Sequence, residues 1–257
     1  MSDDHKFNLR KRFGASSEAY ATSYAHSKGE SLNILLQLIN PKRSWKMLDV
    51  ATGAGHTAML FAPYVARVTA LDITEEMVLK TIEMAAIKGV GNIDARVADA
   101  ESMPFEDNTF DLVTCRLAFH HFTNQNKALS EMVRVLKPGG ILGFVDNMVV
   151  DDPTASQYYN MVESIRDPTH RYVYPKSQLI RLLQGTGLKI VSEQELCKET
   201  EFNDWAARQS VSESDKNRLI DLIKKAPEPL LTFFHPRIHE KSFYFNLCEA
   251  IIIATKV

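Results

Sequence analysis

The chain has 257 residues, which permits one large domain or two small ones, and with 45% hydrophobic and 24% charged residues it can bury a sizeable core and still present a charged surface. Its 30 basic and 32 acidic residues leave a formal charge of −2, which gives no electrostatic footprint for nucleic acid. The opening Met1-Ser2-Asp3-Asp4-His5-Lys6 places acids where a secretory signal has bases, and no apolar stretch has membrane-spanning length.

Residues 7–40 read as helical, beginning around Phe13-Gly14-Ala15-Ser16-Ser17 and resuming where Leu32, Leu35, Leu36 and Ile39 share one helical face. Asn40-Pro41 ends that helix, and Tyr20, Tyr24 and His26 lie in the connection before it. A strand is expected at 46–50, then a short helix closed by Pro63, then a strand at 67–72. Thr74 is placed to cap the next helix, with Glu75 and Glu76 in its first turn, where the helix dipole favours negative charge. That helix runs to about Lys88 and stops at Gly89-Val90-Gly91. Strands follow at 93–98 and 110–115, a helix at 125–135, and a strand at 140–147 after a turn at Lys137-Pro138-Gly139-Gly140.

Asp152-Pro153 starts a further helix, Pro168 and Pro175 break up 166–176, and Ser177 to Gln184 form a short helix before a strand from Leu188 to Leu196. Residues 201–232 look helical and aromatic, with Phe202 and Trp205 first and Phe233-Phe234 just beyond, before a last strand at 242–255. Strands alternating with helices imply βαβ units and a Rossmann-like, mostly parallel sheet with helices on both faces. The whole of 1–257 reads as a single domain, with a helical cap over 1–40 and a helical insertion over 198–238. Cys115, Cys197 and Cys248 lie far apart with no paired spacing. Buried inert thiols, no zinc site and a cytoplasmic setting are the expectation.

The chemistry concentrates where the first strand ends. Met47-Leu48-Asp49-Val50 closes on an acid, and Ala51-Thr52-Gly53-Ala54-Gly55-His56-Thr57-Ala58 supplies a glycine turn and a helix start. The glycine spacing alone also satisfies the dinucleotide fingerprint, so an NAD(P)-dependent oxidoreductase is one reading. A dinucleotide would set its pyrophosphate against that helix start, where Asp49 would oppose it. S-adenosylmethionine (SAM) has no phosphate, and its sulfonium and ammonium suit an acid beside the turn. Asp72 closes a second apolar run, Val68-Thr69-Ala70-Leu71, where a carboxylate can accept hydrogen bonds from a ribose.

Leu48 to Gly55, Leu71-Asp72, Val97-Ala98-Asp99-Ala100-Glu101, Phe110-Asp111-Leu112-Val113 and Arg134-Val135-Leu136-Lys137-Pro138-Gly139-Gly140 resemble, in order, the motifs of class I SAM-dependent methyltransferases. The subgroup resembled contains the ubiquinone/menaquinone C-methyltransferases (methyltransferase type 11). Ala51 departs from the commoner glycine of the first motif by one methyl group. The resemblance implies a seven-stranded sheet in order 3-2-1-4-5-7-6 with the last strand antiparallel, SAM as cofactor, and an N-terminal part that covers it. It also implies that Asp99 accepts the adenine amine while the Ala100 N–H reaches a ring nitrogen.

With Asp49, Ala51, Gly53, Gly55, Asp72, Asp99 and Ala100, the expected cofactor contacts include Ile73 and Met77 around the adenine and Arg116 beside the cleft. Methyl transfer asks an enzyme for alignment, exclusion of water and, for some acceptors, a base. His120 and His121 are the candidate bases after the fourth strand. His121 fits best, because Phe119-His120-His121-Phe122 matches the loop of the resembled family. His170, in Arg166-Asp167-Pro168-Thr169-His170, is a second candidate. Adjacent histidines do not have ligand spacing, so no metal is expected. The reading is a SAM-dependent methyltransferase acting on a small, apolar or aromatic acceptor, with Phe202, Trp205, Phe233 and Phe234 walling its pocket. A homodimer is compatible with it, and a non-catalytic SAM-binding protein of the same fold is the other alternative.

Overall fold

The structure, a computed structural model, describes residues 2–18 and 29–257. The expected roles of Tyr20, Tyr24 and His26 therefore lie outside the described residues. In chain order the helices are α1 (Ser2–Ala15), α2 (Glu30–Ile39), α3 (His56–Phe61), α4 (Glu75–Ile87), α5 (Gln125–Val135), α6 (Pro153–Arg166), α7 (Lys176–Gly185), α8 (Phe202–Ala207), α9 (Glu213–Lys224) and α10 (Leu230–Phe234). The strands are β1 (Lys46–Val50), β2 (Arg67–Asp72), β3 (Ile93–Val97), β4 (Phe110–Arg116), β5 (Leu136–Met148), β6 (Leu188–Glu201), β7 (Arg237–His239) and β8 (Ser242–Lys256).

They form one sheet in the order β3-β2-β1-β4-β5-β8-β6. The strands from β3 to β5 pair in parallel, and β8 runs antiparallel to both β5 and β6. This is the expected order, with one addition. The short β7 folds back on β8 through Arg237↔Tyr244 and makes an eighth strand.

Side-chain alternation explains why the central strands are apolar throughout. Leu48, Val113, Phe144 and Ile252 face a core with Leu129 and Met132 of α5 and Leu183 of α7. Their neighbours Met47, Leu112, Val145 and Ile251 face the opposite core with Leu35 and Ile39 of α2 and Phe61 of α3. Asp152 starts α6 as expected, its side chain accepting the Ala155 N–H at 2.8 Å. Thr74 sits at the N-cap of α4, yet its side chain makes no capping bond.

Three expectations change. The turn at 137–140 is an irregular start to β5, whose pairing with β4 shifts register between Phe110 and Leu112. β6 continues past Leu196 to Glu201, because a polar, half-exposed strand shows weak alternation and its pairing with β8 extends it. That pairing sets Cys197 opposite Cys248, and the two form a disulfide with Cα atoms 4.0 Å apart. Cys115 alone is a buried free thiol. Spacing along the chain cannot reveal a cross-strand pair, and the bond removes the premise for a reducing compartment. Among the described residues, no helix is long and apolar enough to cross a membrane.

Candidate active site

A cavity of about 790 Å³ opens beyond the carboxyl ends of β1 to β4. β1 is central, so it carries Asp49 inward to 1% exposure. Thr52 Oγ1 donates to Asp49 Oδ2 at 2.6 Å, and Thr114 Oγ1 donates to Oδ1 at 2.7 Å. Burial pushes the Asp49 carboxyl up to about 6, against the pull of those hydroxyls.

The chain then turns through left-handed backbone at Ala51 (φ 53°), Gly53 (φ 56°) and Gly55 (φ 80°). The Ala51 methyl therefore sits in a conformation that costs a non-glycine residue roughly 1–2 kcal/mol. A Cβ on Gly53 would meet nothing within 4 Å, since that residue borders the open cavity. A Cβ on Gly55 would lie 2.7 Å from Thr81 Cγ2, so this glycine seats the turn on α4 and stays off the cavity wall.

Asp72 ends β2 and faces the same turn. Its Oδ2 accepts the Gly53 N–H at 2.8 Å and its Oδ1 accepts the Thr74 N–H at 2.9 Å. Burial raises its pKa. Each oxygen keeps a further lone pair for a hydroxyl ligand. Ile73, Met77, Asp99, Ala100 and Arg116 join Asp49, Ala51, Gly53 and Asp72 on the wall. Arg116 is buried beside the charges of Glu249 and Asp49; burial lowers its pKa, and those acids offset part of the shift. The side chain of Asp99 is occupied on both oxygens, by the Glu101 N–H at 2.8 Å and by Lys6 Nζ at 2.7 Å.

Lys6 belongs to α1, which contributes Lys6, Leu9 and Phe13 to the cavity wall. Lys6 also binds Glu101 at 2.7 Å, His5 Nε2 meets the His121 carbonyl at 3.0 Å, and Arg12 Nε donates to Gln209 Oε1 at 2.7 Å. The helix thus ties the end of β3 to the region after α8.

The far side of the cavity is less apolar than expected. Glu163, Arg166, Asp167, Lys198 and Glu249 line it, and of the four expected aromatics only Trp205 does. Phe202, Trp205 and Phe234, all buried, build a third core with Tyr159 and Phe245, against which Phe233 packs. The β6–β8 ribbon extends beyond the main sheet, and its apolar face needs that cover. Arg166 lies over the Trp205 ring, 4.6 Å from its centroid, and is ion-paired with Glu163 at 3.2 Å. Lys198 is ion-paired with Glu249.

The three histidines fall into different environments. His120 is buried, and its Nδ1 bonds Asp146 Oδ1 at 2.6 Å while its backbone N–H donates to Oδ2 at 2.8 Å. Burial, the largest single influence, pulls the His120 pKa down, but the charge and hydrogen bond of Asp146 together with the charges of Glu163 and Asp167 outweigh it and leave the pKa above 6.5. His121 Nδ1 faces the Thr169 carbonyl at 3.2 Å, and Phe13 packs edge-on to its ring. Burial and the neighbouring His120 charge lower the His121 pKa. His170 Nε2 is taken by Asn160 Oδ1 at 2.8 Å, and burial drives its pKa to about 2.

His170 is absent from the cavity wall, whereas His120 and His121 are on it. His121 and His170 are thus weak bases, because desolvation opposes the imidazolium each would have to become. His120 is the better-equipped candidate. Asp146 carries the same sequence signal as Asp49 and Asp72, an acid closing an apolar strand (Phe144-Val145-Asp146). Glu249 has a related one, a lone acid in the apolar run Leu247 to Ile253. No cluster of metal-ligating side chains occurs among the described residues.

Residues 48–144 match the family model of a methyltransferase domain. The uncharacterized methyltransferase YcgJ of Bacillus subtilis (strain 168) is 30% identical over 242 residues, covering 94% of this chain and 96% of that protein. Its crystal structure superposes with a TM-score of 0.84, over 88% of this chain and 97% of that one. A crystal structure of a candidate methyltransferase from Bacillus halodurans C-125 gives a TM-score of 0.83 at 35% identity, over 88% of this chain and 98% of that one. The ubiquinone/menaquinone biosynthesis C-methyltransferase UbiE of Hydrogenovibrio crunogenus is 39% identical over 118 residues, only 44% of this chain and 46% of that protein.

Proposed function

This chain belongs to the SAM-dependent methyltransferases, and on that premise we propose that it moves the methyl group of SAM to a small-molecule acceptor. The family membership sets aside the oxidoreductase that shares the glycine pattern. One observation carries the cofactor assignment. Asp72 bridges the open Gly53 turn and the start of α4 on the wall of a cavity that also holds Asp49 and Asp99.

The residues present fit SAM. The bare Gly53 backbone leaves room for close approach, and the acids match a ligand that brings hydroxyls, an ammonium and an amine rather than phosphates. When bound, SAM supplies the reaction's electrophile, a methyl carbon on a sulfonium. Asp72 would hold the ribose, Asp49 would balance the positive methionine end, and Asp99 with Ala100 would bind the adenine between Ile73 and Met77. Asp99 would exchange its bond to Lys6 for the adenine amine. α1 and the wall with Trp205 would exclude water and align the acceptor, the main requirements of an in-line transfer.

Calorimetric titration with SAM tests the reading. Asp72→Asn keeps an acceptor oxygen for one backbone N–H but loses the charge, and it should weaken SAM by about 10–150-fold. Thermal unfolding run alongside should show the fold retained. Failure of the wild-type chain to bind SAM would refute the function, and unchanged affinity in the variant would refute the role of Asp72.

A further inference from the structure

We infer that the His120–Asp146 pair takes up the acceptor's proton during the transfer, and that the acceptor is a neutral small molecule methylated on a hydroxyl oxygen. The inference rests on the methyltransferase reading and goes beyond it in naming the base and the substrate class.

The geometry sorts the two ring nitrogens of His120. Nδ1 is committed to Asp146 Oδ1 at 2.6 Å, and the same carboxylate takes the His120 and Asn147 backbone N–H groups at 2.8 and 2.9 Å. A buried carboxylate gripped by two backbone donors is fixed, so it holds the proton of neutral His120 on Nδ1. Nε2 is left as the basic nitrogen of a side chain that lines the cavity. Asp146, 2% exposed and away from the cavity wall, is a positioning residue.

The charges around His120 are Asp146 from β5, Glu163 from α6, and Asp167 from the loop that follows. Two further histidines lie beside it, His121 with its ring 4.2 Å away and His170 at 5.9 Å, and the Arg166 cation of α6, which opposes protonation of both, is ion-paired with Glu163. The acids favour the imidazolium, and the two histidines, held neutral by burial, do not oppose it at neutral pH.

A base of this kind selects among acceptors. A neutral amine attacks with a lone pair already free, and its product sheds a proton afterwards. A carboxylate is ionised without help. A neutral hydroxyl is a poor nucleophile unless its proton leaves as the new bond forms. The far wall also disfavours anions, since Glu163, Asp167 and Glu249 line it and two of its cations, Arg166 and Lys198, are already ion-paired. In the step, the acceptor O–H bond breaks with its proton passing to His120 Nε2, and the oxygen bonds the methyl carbon. The carbon–sulfur bond breaks with its electron pair going to sulfur, and Asp146 stabilises the imidazolium.

Two measurements on the full chain test this. NMR of nitrogen-labelled histidines, without cofactor, should show neutral His120 protonated on Nδ1 and titrating above 6.5. Asp146→Asn should lower that pKa and shift the tautomer. A His120 protonated on Nε2 in the wild type would overturn the assignment.

Labelled-methyl SAM is then offered to phenols of graded acidity, with simple amines as controls. O-methylated phenols are expected, and the rate should rise with pH through the His120 pKa. His120→Gln should lower kcat by about 100–10,000-fold for weakly acidic phenols and far less for para-nitrophenol, which ionises unaided. Asp146→Asn, which keeps the imidazole, should lower kcat and leave KM unchanged. Methyl groups on carbon or nitrogen, no product from any phenol while SAM still binds, or wild-type rates in both variants would each overturn the inference. Loss of SAM binding by the wild-type chain would instead refute the methyltransferase reading beneath it.

Discussion

Asp49→Asn should stabilise the protein at neutral pH while weakening SAM binding. Asp49 is fully buried, and its carboxyl is raised from 3.8 to about 6, with burial the leading cause. A shift of that size corresponds to about 3 kcal/mol, the cost of keeping the group ionised in the fold at pH 7. That cost is already net of the attraction to Arg116, and the buried amide must still be desolvated and find partners of its own, so the expected net gain is about 1–2 kcal/mol. Asparagine suits the test because Thr52 and Thr114 can keep both side-chain contacts if one hydroxyl turns to accept the amide.

The sign follows from linkage. Asp49 binds a proton more readily folded than unfolded, so its stability is fully present below pH 3.8 and is lost as pH rises through about 6. Urea unfolding from pH 4 to 8 should therefore show the variant gaining on the wild type across that window and holding its advantage above it. Calorimetry at pH 7 should show weaker SAM binding. A variant less stable than wild type at pH 7, with a parallel pH profile, would refute the claim that an ionised Asp49 is kept for the ligand at the expense of stability.

Gly55→Ala should destabilise the fold by about 2 kcal/mol or more, because its Cβ meets Thr81 at 2.7 Å and its φ is +80°. Adding Thr81→Ala should recover only the collision part, as read by chemical denaturation. Ala51→Gly should be neutral or stabilising by up to about 1 kcal/mol, since relief of the left-handed strain outweighs the usual entropy cost of glycine. A clear loss of Tm would show that the Ala51 methyl makes contacts that outweigh its strain.

The sequence by itself determined the half of the molecule where structure is local. An acid closing an apolar run, two glycines and a helix start are read within a dozen residues, and they place Asp49, Asp72 and Asp99 at adjacent strand ends. Parallel pairing of the first five strands is readable because each is separated from the next by a helix or a long connection, whereas the strand order came from the family resemblance. What only the tertiary structure decided depends on partners distant in the chain. Cys197 meets Cys248 because β8 inserts between β5 and β6, and no spacing encodes that. The aromatics after β6 are equally apolar in a pocket wall and in a core, and only the extended β6–β8 ribbon shows which they cover. His120, His121 and His170 are chemically identical in sequence. Folding gives one a buried carboxylate and leaves the others desolvated without a comparable counter-charge, and it is that surrounding field, summed over side chains from several elements, that separates a base from two neutral rings.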